Sequence, residues 1–120
     1  MSTITTFDLD RFARAAEERD ALTQLSMYRH DAIVTIADKV SQPRSPRILR
    51  SHEEIKAWLE DMYDRDMTHV VQHEVKGDAG AAYTQACRYR DGTNVLCATV
   101  IELDHGAIAA QTVVQVWDES

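Results

Sequence analysis

Asp38, His69 and His73 are the side chains of this sequence best suited to moving a proton near neutral pH. A carboxylate at the mouth of an apolar pocket is raised in pKa by desolvation and becomes a usable base. An imidazole titrates near neutrality unaided. Asp38 follows an apolar run at 32–37, so on a strand that runs on it shares a face with Ile36. Two roles are open to it: pocket base, or cap of the turn into KVSQPRSPR. His69 and His73 are flanked by Val70, Val71 and Val75, which indicates a strand. There they share a face about 13 Å apart, too far for both to bind one ion, so no metal site is expected. Either one of them faces a pocket as an acid–base group, or both lie on a solvated sheet edge.

A second set of candidates is neutral. Tyr83, Gln85, Cys87 and Tyr89 alternate along one run, and Cys97, Thr99, Ile101 and Leu103 along the next. If Arg90-Asp91-Gly92 is a three-residue loop with left-handed Gly92, residues of odd number share one face. A similar loop at His105-Gly106 adds Gln111, Val113 and Gln115. That face carries a polar band of Tyr83, Gln85, Thr99 and Gln111 among apolar neighbours, the make-up of a small-molecule site. The alternative is that the band meets solvent or a second copy, and the even-numbered face turns inward. The same register sets Cys97 opposite Gln85 and diagonal to Cys87, at or beyond the roughly 6.8 Å reach of a disulfide. Both cysteines are therefore expected as free thiols, small and buried. Arg44, Arg47 and Arg50 either receive a ligand carboxylate or phosphate, or offset an acidic surface. His52 is the second position of a capped helix, and His30 and His105 are turn residues.

The elements that must position these groups follow from pattern. Leu9, Phe12, Ala13 and Ala16 recur at helical spacing over 7–19, with Thr5 and Asp8 at the start. Asp20 caps a second, shorter helix carrying Leu22, Leu25 and Tyr28. His30-Asp31 turns the chain into a strand at 32–37, and SQPRSPR is a loop. Ser51-His-Glu-Glu54 is a capping box opening a helix with the apolar stripe Ile55, Trp58, Leu59, Met62 and Tyr63. Strands then follow in a meander, turned at Gly77-Asp78, Asp91-Gly92 and His105-Gly106. Helices at the front and strands behind indicate α+β with an antiparallel sheet.

Composition bounds the function. The 120 residues are 44% apolar and 28% charged, the make-up of one globular domain that buries roughly two-thirds of its unfolded surface. A formal charge of −7 without a basic stripe argues against nucleic acid. No apolar run approaches the roughly 20 residues that cross a bilayer. MSTITTFDLD lacks the basic start and apolar stretch of a signal peptide, so a cytoplasmic protein is expected. Two cysteines are too few for a disulfide framework.

Four segments carry a likeness to known proteins: RDALTQLSMYRHDAIV, SHEEIKAWLEDMY, KGDAGAAYTQACRYRDGT and VIELDHGAIAAQTVVQVWD. Together they resemble the SnoaL-like members of the nuclear-transport-factor-2-like superfamily. The resemblance implies a cystatin-like α+β cone over the whole chain, with three N-terminal helices packed on a strongly curved antiparallel sheet that encloses a pocket. It also excludes. The superfamily's steroid isomerases use a Tyr and two Asp residues where this chain aligns Phe12, Ile36 and Thr99. Phe12 and Ile36 cannot transfer a proton or donate a hydrogen bond. The epoxide hydrolases' Asp-Arg-Asp set finds no counterpart around Arg88 and Arg90. The dehydratases use two His with an Asp, and this chain has His69, His73 and Asp38.

The expected lining is Phe12, Ile36, Trp58, Tyr83, Gln85, Thr99 and Gln111. Two functions remain open. One is a cofactor-independent isomerase, cyclase or dehydratase acting on a small apolar carbonyl or hydroxyl compound. There Asp38 works with a His partner, and Thr99 and Gln111 act as neutral donors. The other is a non-catalytic ligand-binding or dimerisation module. Apolar residues at both parities of the strands, such as Val95, Leu96, Ala98 and Val100, lead to an expected homodimer through the sheet.

Overall fold

The computed structural model describes residues 6–119. The helix α1, Leu9–Glu17, is capped by Asp8, whose carboxylate accepts from Arg11 N at 3.0 Å. Thr5, the other residue expected at this start, lies outside the described residues. The short helix α2, Ala21–Leu25, is capped by Asp20, which accepts from Thr23 N. The strand β1, Tyr28–Ala37, leads to a three-residue strand β2, Arg47–Leu49, and then to α3, His52–Asp64. The strands β3 (Met67–Lys76), β4 (Gly80–Tyr89), β5 (Asn94–Asp104) and β6 (Ala107–Trp117) complete the chain. At the start of α3, Ser51 Oγ accepts from Glu54 N, while Glu54 Oε2 reaches back to Arg50 N at 2.9 Å. The box thus closes one residue upstream of its usual partner.

The sheet order is β2-β1-β6-β5-β4-β3. The meander β3 to β6 is antiparallel throughout, but β1 pairs with β6 in parallel. The expectation of a wholly antiparallel sheet is corrected to a mixed one. A parallel pair needs a long crossover, and residues 38–106, including α3, supply it. Two further readings change. His30 and Asp31 belong to β1 rather than to a turn, in a stretch where the register with β6 slips between Tyr28 and Ile33. Part of the proline-rich loop is a strand, with Ile48 opposite Thr35.

Two loops decide what faces inward. Arg90-Asp91-Gly92 is the expected three-residue loop, with Gly92 at φ 94°, and it sets Gln85 opposite Cys97 and Tyr83 opposite Thr99. The β5–β6 loop has only two residues. His105 and Gly106 both take positive φ, and Asp104 pairs with Ala107. A register shift then sets Leu103 against Ile108 but Glu102 against Ala110. The extra residue lets Ile108 and Gln111 both turn inward, a role sequence reading gave to a longer loop. The resulting core holds Phe12, Val34, Ile36, Ile55, Leu59, Ile101 and Ile108, each below 2% exposure. α1 packs against β3, and Glu17 accepts from the edge amide of Val71 at 3.0 Å.

Candidate small-molecule site

Odd-numbered residues of β4 and β5, and of β6 from Gln111 onward, face the helices, and the polar band lies inside. Gln85, Thr99 and Gln111 are buried, as is Tyr83. They meet Phe12 of α1 and Trp58 of α3 around an inner hollow of about 20 Å³, room for a single water. An outer hollow of about 80 Å³ adjoins it, sharing Trp58, Met62, Cys97 and Gln115. Ile36 and Asp38 line the outer hollow, with Arg47, Asp61, Arg65 and Tyr89 also on its wall.

The inner groups are bonded in pairs. Tyr28 Oη donates to Gln111 Oε1. Tyr63 Oη donates to Gln24 Oε1, and Gln24 Nε2 donates to the Phe12 carbonyl at 2.9 Å. Burial pushes the phenols of Tyr28, Tyr63 and Tyr83 well above the usual tyrosine range, and Thr99 only partly offsets this at Tyr83. At neutral pH all three are O–H donors. Among the described residues, no carboxylate lines the inner hollow. The interior therefore offers neutral hydrogen bonds, and fixed charge is confined to the outer wall.

Asp38 sits half-buried just past β1. Its Oδ1 accepts from Val40 N at 3.0 Å and Ser41 N at 2.7 Å, so it caps its own turn while facing the outer hollow. His69 is 4% exposed. Gln85 Nε2 lies 2.9 Å from its Nδ1, and Cys87 Sγ lies 3.2 Å from the same nitrogen. With Gln85 donating, the ring proton sits on Nε2, a buried atom with no partner among the described residues. His73 is elsewhere. It takes φ 57° where the β3–β4 register shifts between Gln72 and Val75, and it is exposed. This irregularity breaks the alternation that would have put both His on one face. Arg44 and Arg50 are exposed, and Arg47 reaches the outer hollow. Among the described residues, no cluster of His, Cys, Asp and Glu is arranged to hold a metal ion. No helix in them is long and apolar enough to cross a membrane.

Sequence reading passed over Tyr28, Tyr63 and Gln24. Tyr28 and Tyr63 stood in apolar helical stripes and were read as packing, and Gln24 was not singled out. The signal available was that a buried phenol must find a partner for its hydroxyl. The thiols were read as inert. Cys87 and Cys97 are both free and buried, and both line the outer hollow. Hydrogen bonding with Cys97, His69 and Gln85 makes Cys87 the more acidic thiol, while Cys87 and burial push Cys97 up.

Helices covering the inner face of a mixed six-stranded sheet, with a polar-lined interior between, define an α+β cone. No protein-family model matches the sequence, and no curated protein matches it. Solved structures do match. A protein of unknown function from Mesorhizobium loti, described as NTF2-like, superposes with a TM-score of 0.79 at 8% identity, over 90% of this chain and 87% of its own. A ketosteroid isomerase candidate from Kribbella flavida gives 0.74 at 12% identity, over 93% and 76%. The epoxide hydrolase/cyclase-like enzyme SalBIII, of pyran ring formation in the polyether salinomycin, gives 0.68 at 18%, over 90% and 87%. The chain has the fold of the nuclear-transport-factor-2-like proteins.

Proposed function

We propose that this is a SnoaL-like protein that binds a small, mainly apolar carbonyl or hydroxyl compound and transfers a proton on it without a cofactor. The observation that carries the reading is the convergence of Phe12, Trp58, Tyr83, Gln85, Thr99 and Gln111 on one interior hollow. Neutral donors in a dry site stabilise an enolate or alkoxide as its charge forms. Asp38 is the base in this reading. Its Oδ1 is held by the turn, which leaves Oδ2 for the ligand. No hydrogen bond among the described residues joins His69 to Asp38, so Asp38 acts without it in this reading, and His73, exposed on its bulge, takes no part. The outer hollow, about 80 Å³, takes the body of a ligand no larger than a single ring, and the inner hollow, with room for a single water, takes only its oxygen. SalBIII and the ketosteroid isomerase candidate add that this fold hosts enzymes.

The test needs no known substrate. A small cyclic ketone is held with the protein in D2O, and loss of its α-proton signal is followed by NMR. The expected result is at least tenfold faster exchange than in buffer, falling to near background in Asp38→Asn. General bases contribute about 10²–10⁴-fold. Undiminished exchange in Asp38→Asn would remove Asp38 from the mechanism.

A second reading, a non-catalytic binding module, draws on one specific observation. Asp38 is bonded as a turn cap, and Tyr28 and Tyr63 already spend their hydroxyls on glutamines. Saturable ligand binding without accelerated exchange would select it.

Either protein would pair with a second copy through the outer face of the sheet. Val70, Leu96, Val100, Val114 and Val116 are 46–65% exposed there. Val70, Ala86, Leu96 and Val116 form one row across four strands, by pairings of neighbouring residues. An apolar patch of this kind marks an interface.

A further inference from the structure

Cys87 has a chemical role open to it that the proton-transfer reading does not use. Cys87 lines the outer hollow, though the residue is only 4% exposed. His69 Nδ1 is 3.2 Å from Sγ, and Gln85 Nε2 is 3.6 Å from it. These are the parts of an activated thiol: a nucleophile, a base within reach, and an amide that holds the base. The orphaned Nε2 of His69 adds to this. Since that atom has no partner among the described residues, the polar contacts at Nδ1 alone orient the imidazole toward the thiol.

We propose that Cys87 is a covalent site for small α,β-unsaturated carbonyl compounds entering the outer hollow. His69 Nδ1 takes the proton of the Cys87 thiol. The sulfur's electron pair forms the S–C bond to the β-carbon, and the C=C pair shifts toward the carbonyl to give an enolate. The α-carbon then takes the proton back from His69, so the net change is addition of S–H across the double bond. As His69 gains its proton it donates to sulfur, and Gln85, within 3.6 Å of Sγ, turns its amide from the ring onto the sulfur. Gln115, which lines both hollows, is placed for the enolate oxygen. Its Oε1 already accepts from Trp117 Nε1 at 3.1 Å, so its amide N–H groups are left for a ligand.

The surroundings favour charge on Cys87 rather than Cys97. His69 of β3 and the Cys97 thiol of β5 face it, with Gln85 and Tyr83 on its own strand. Tyr63 of α3 meets the His69 ring edge-on at 5.2 Å. Farther out on the wall of the hollow lie Asp61 of α3 and Arg65 just beyond its end, bonded to each other at 2.7 Å, with Tyr89 accepting from Arg65. Asp38 and Arg47 complete that wall. Hydrogen bonding with Cys97, His69 and Gln85 holds Cys87 well below the ordinary thiol range.

The test is alkylation of the folded protein by methyl vinyl ketone, read by intact mass and peptide mapping from pH 5 to 9. One adduct is expected, on Cys87, with a rate that has already levelled off at pH 7. Cys87→Ala should take none. His69→Gln should react at least tenfold more slowly at pH 7, with its rate still rising toward pH 9, while circular dichroism stays unchanged. If His69→Gln does not fold, Gln85→Leu replaces it and should shift the profile in the same direction. Labelling of Cys97 instead, an unchanged profile in the folded variant, or no adduct when the unfolded chain labels readily would each overturn the proposal. The reaction requires nothing of Asp38, so it and the deuterium exchange fail independently.

Discussion

The Tyr28 hydroxyl donates to Gln111 Oε1 across the parallel pair of β1 and β6, joining residues 83 positions apart in the chain. Neither group reaches solvent. This bond ties the first strand to the last at the floor of the inner hollow, and it exists only because a register irregularity in β6 turns Gln111 inward.

Gln111→Leu should therefore destabilise the fold although leucine fills similar space. It strands a buried phenol, at a cost of about 1–3 kcal/mol. Chemical denaturation would show a lower midpoint with unchanged slope. The double variant Gln111→Leu with Tyr28→Phe should recover most of the loss, because no polar group is then left unpaired.

Alkaline titration should separate the four tyrosines. Burial raises the pKa of Tyr28, Tyr63 and Tyr83 above the unfolded value near 10. A group raised in this way stabilises the fold fully below its unfolded pKa. That stability is lost as pH climbs from there toward the folded value, because the unfolded chain releases the proton first. Absorbance at 295 nm should show these three phenols ionising together with the loss of near-UV circular dichroism. Early, independent ionisation of three or more tyrosines would contradict the buried network.

How much of this was legible follows from which residues depended on local pattern. The caps at Asp20 and Ser51, the loop at Gly92 and the shared face of Tyr83, Gln85 and Thr99 are short-range features carried by spacing, whereas which way that face turns was left open and depends on the packing of the helices. The parallel pairing of β1 depends on where a chain end meets the far side of a sheet, which no local pattern encodes. His73 was misplaced because one bulged residue reverses the alternation beyond it, and valines on both sides hide the bulge. Tyr28 was assigned to a helical stripe because a three-residue step from Leu25 looks the same in a helix and at a helix–strand junction. The thiols looked inert because only the fold brings His69 to Cys87.

The outer face should govern assembly. Leu96→Lys with Val116→Lys sets two like charges opposite each other, at one end of the apolar row. Sedimentation should find a dimer for the unaltered chain and a folded monomer for the double variant. A monomer in both would refute pairing through this face.

The central claim is that the interior receives a small carbonyl compound. It is tested most directly by following the side-chain amide signals of Gln85 and Gln111 and the indole signal of Trp58 in a 15N-labelled sample titrated with a cyclic ketone. These three groups line the inner hollow. The account predicts that they move together along one saturable curve, with Gln111→Leu weakening it. Shifts confined to surface amides, or none at millimolar ketone, would contradict it.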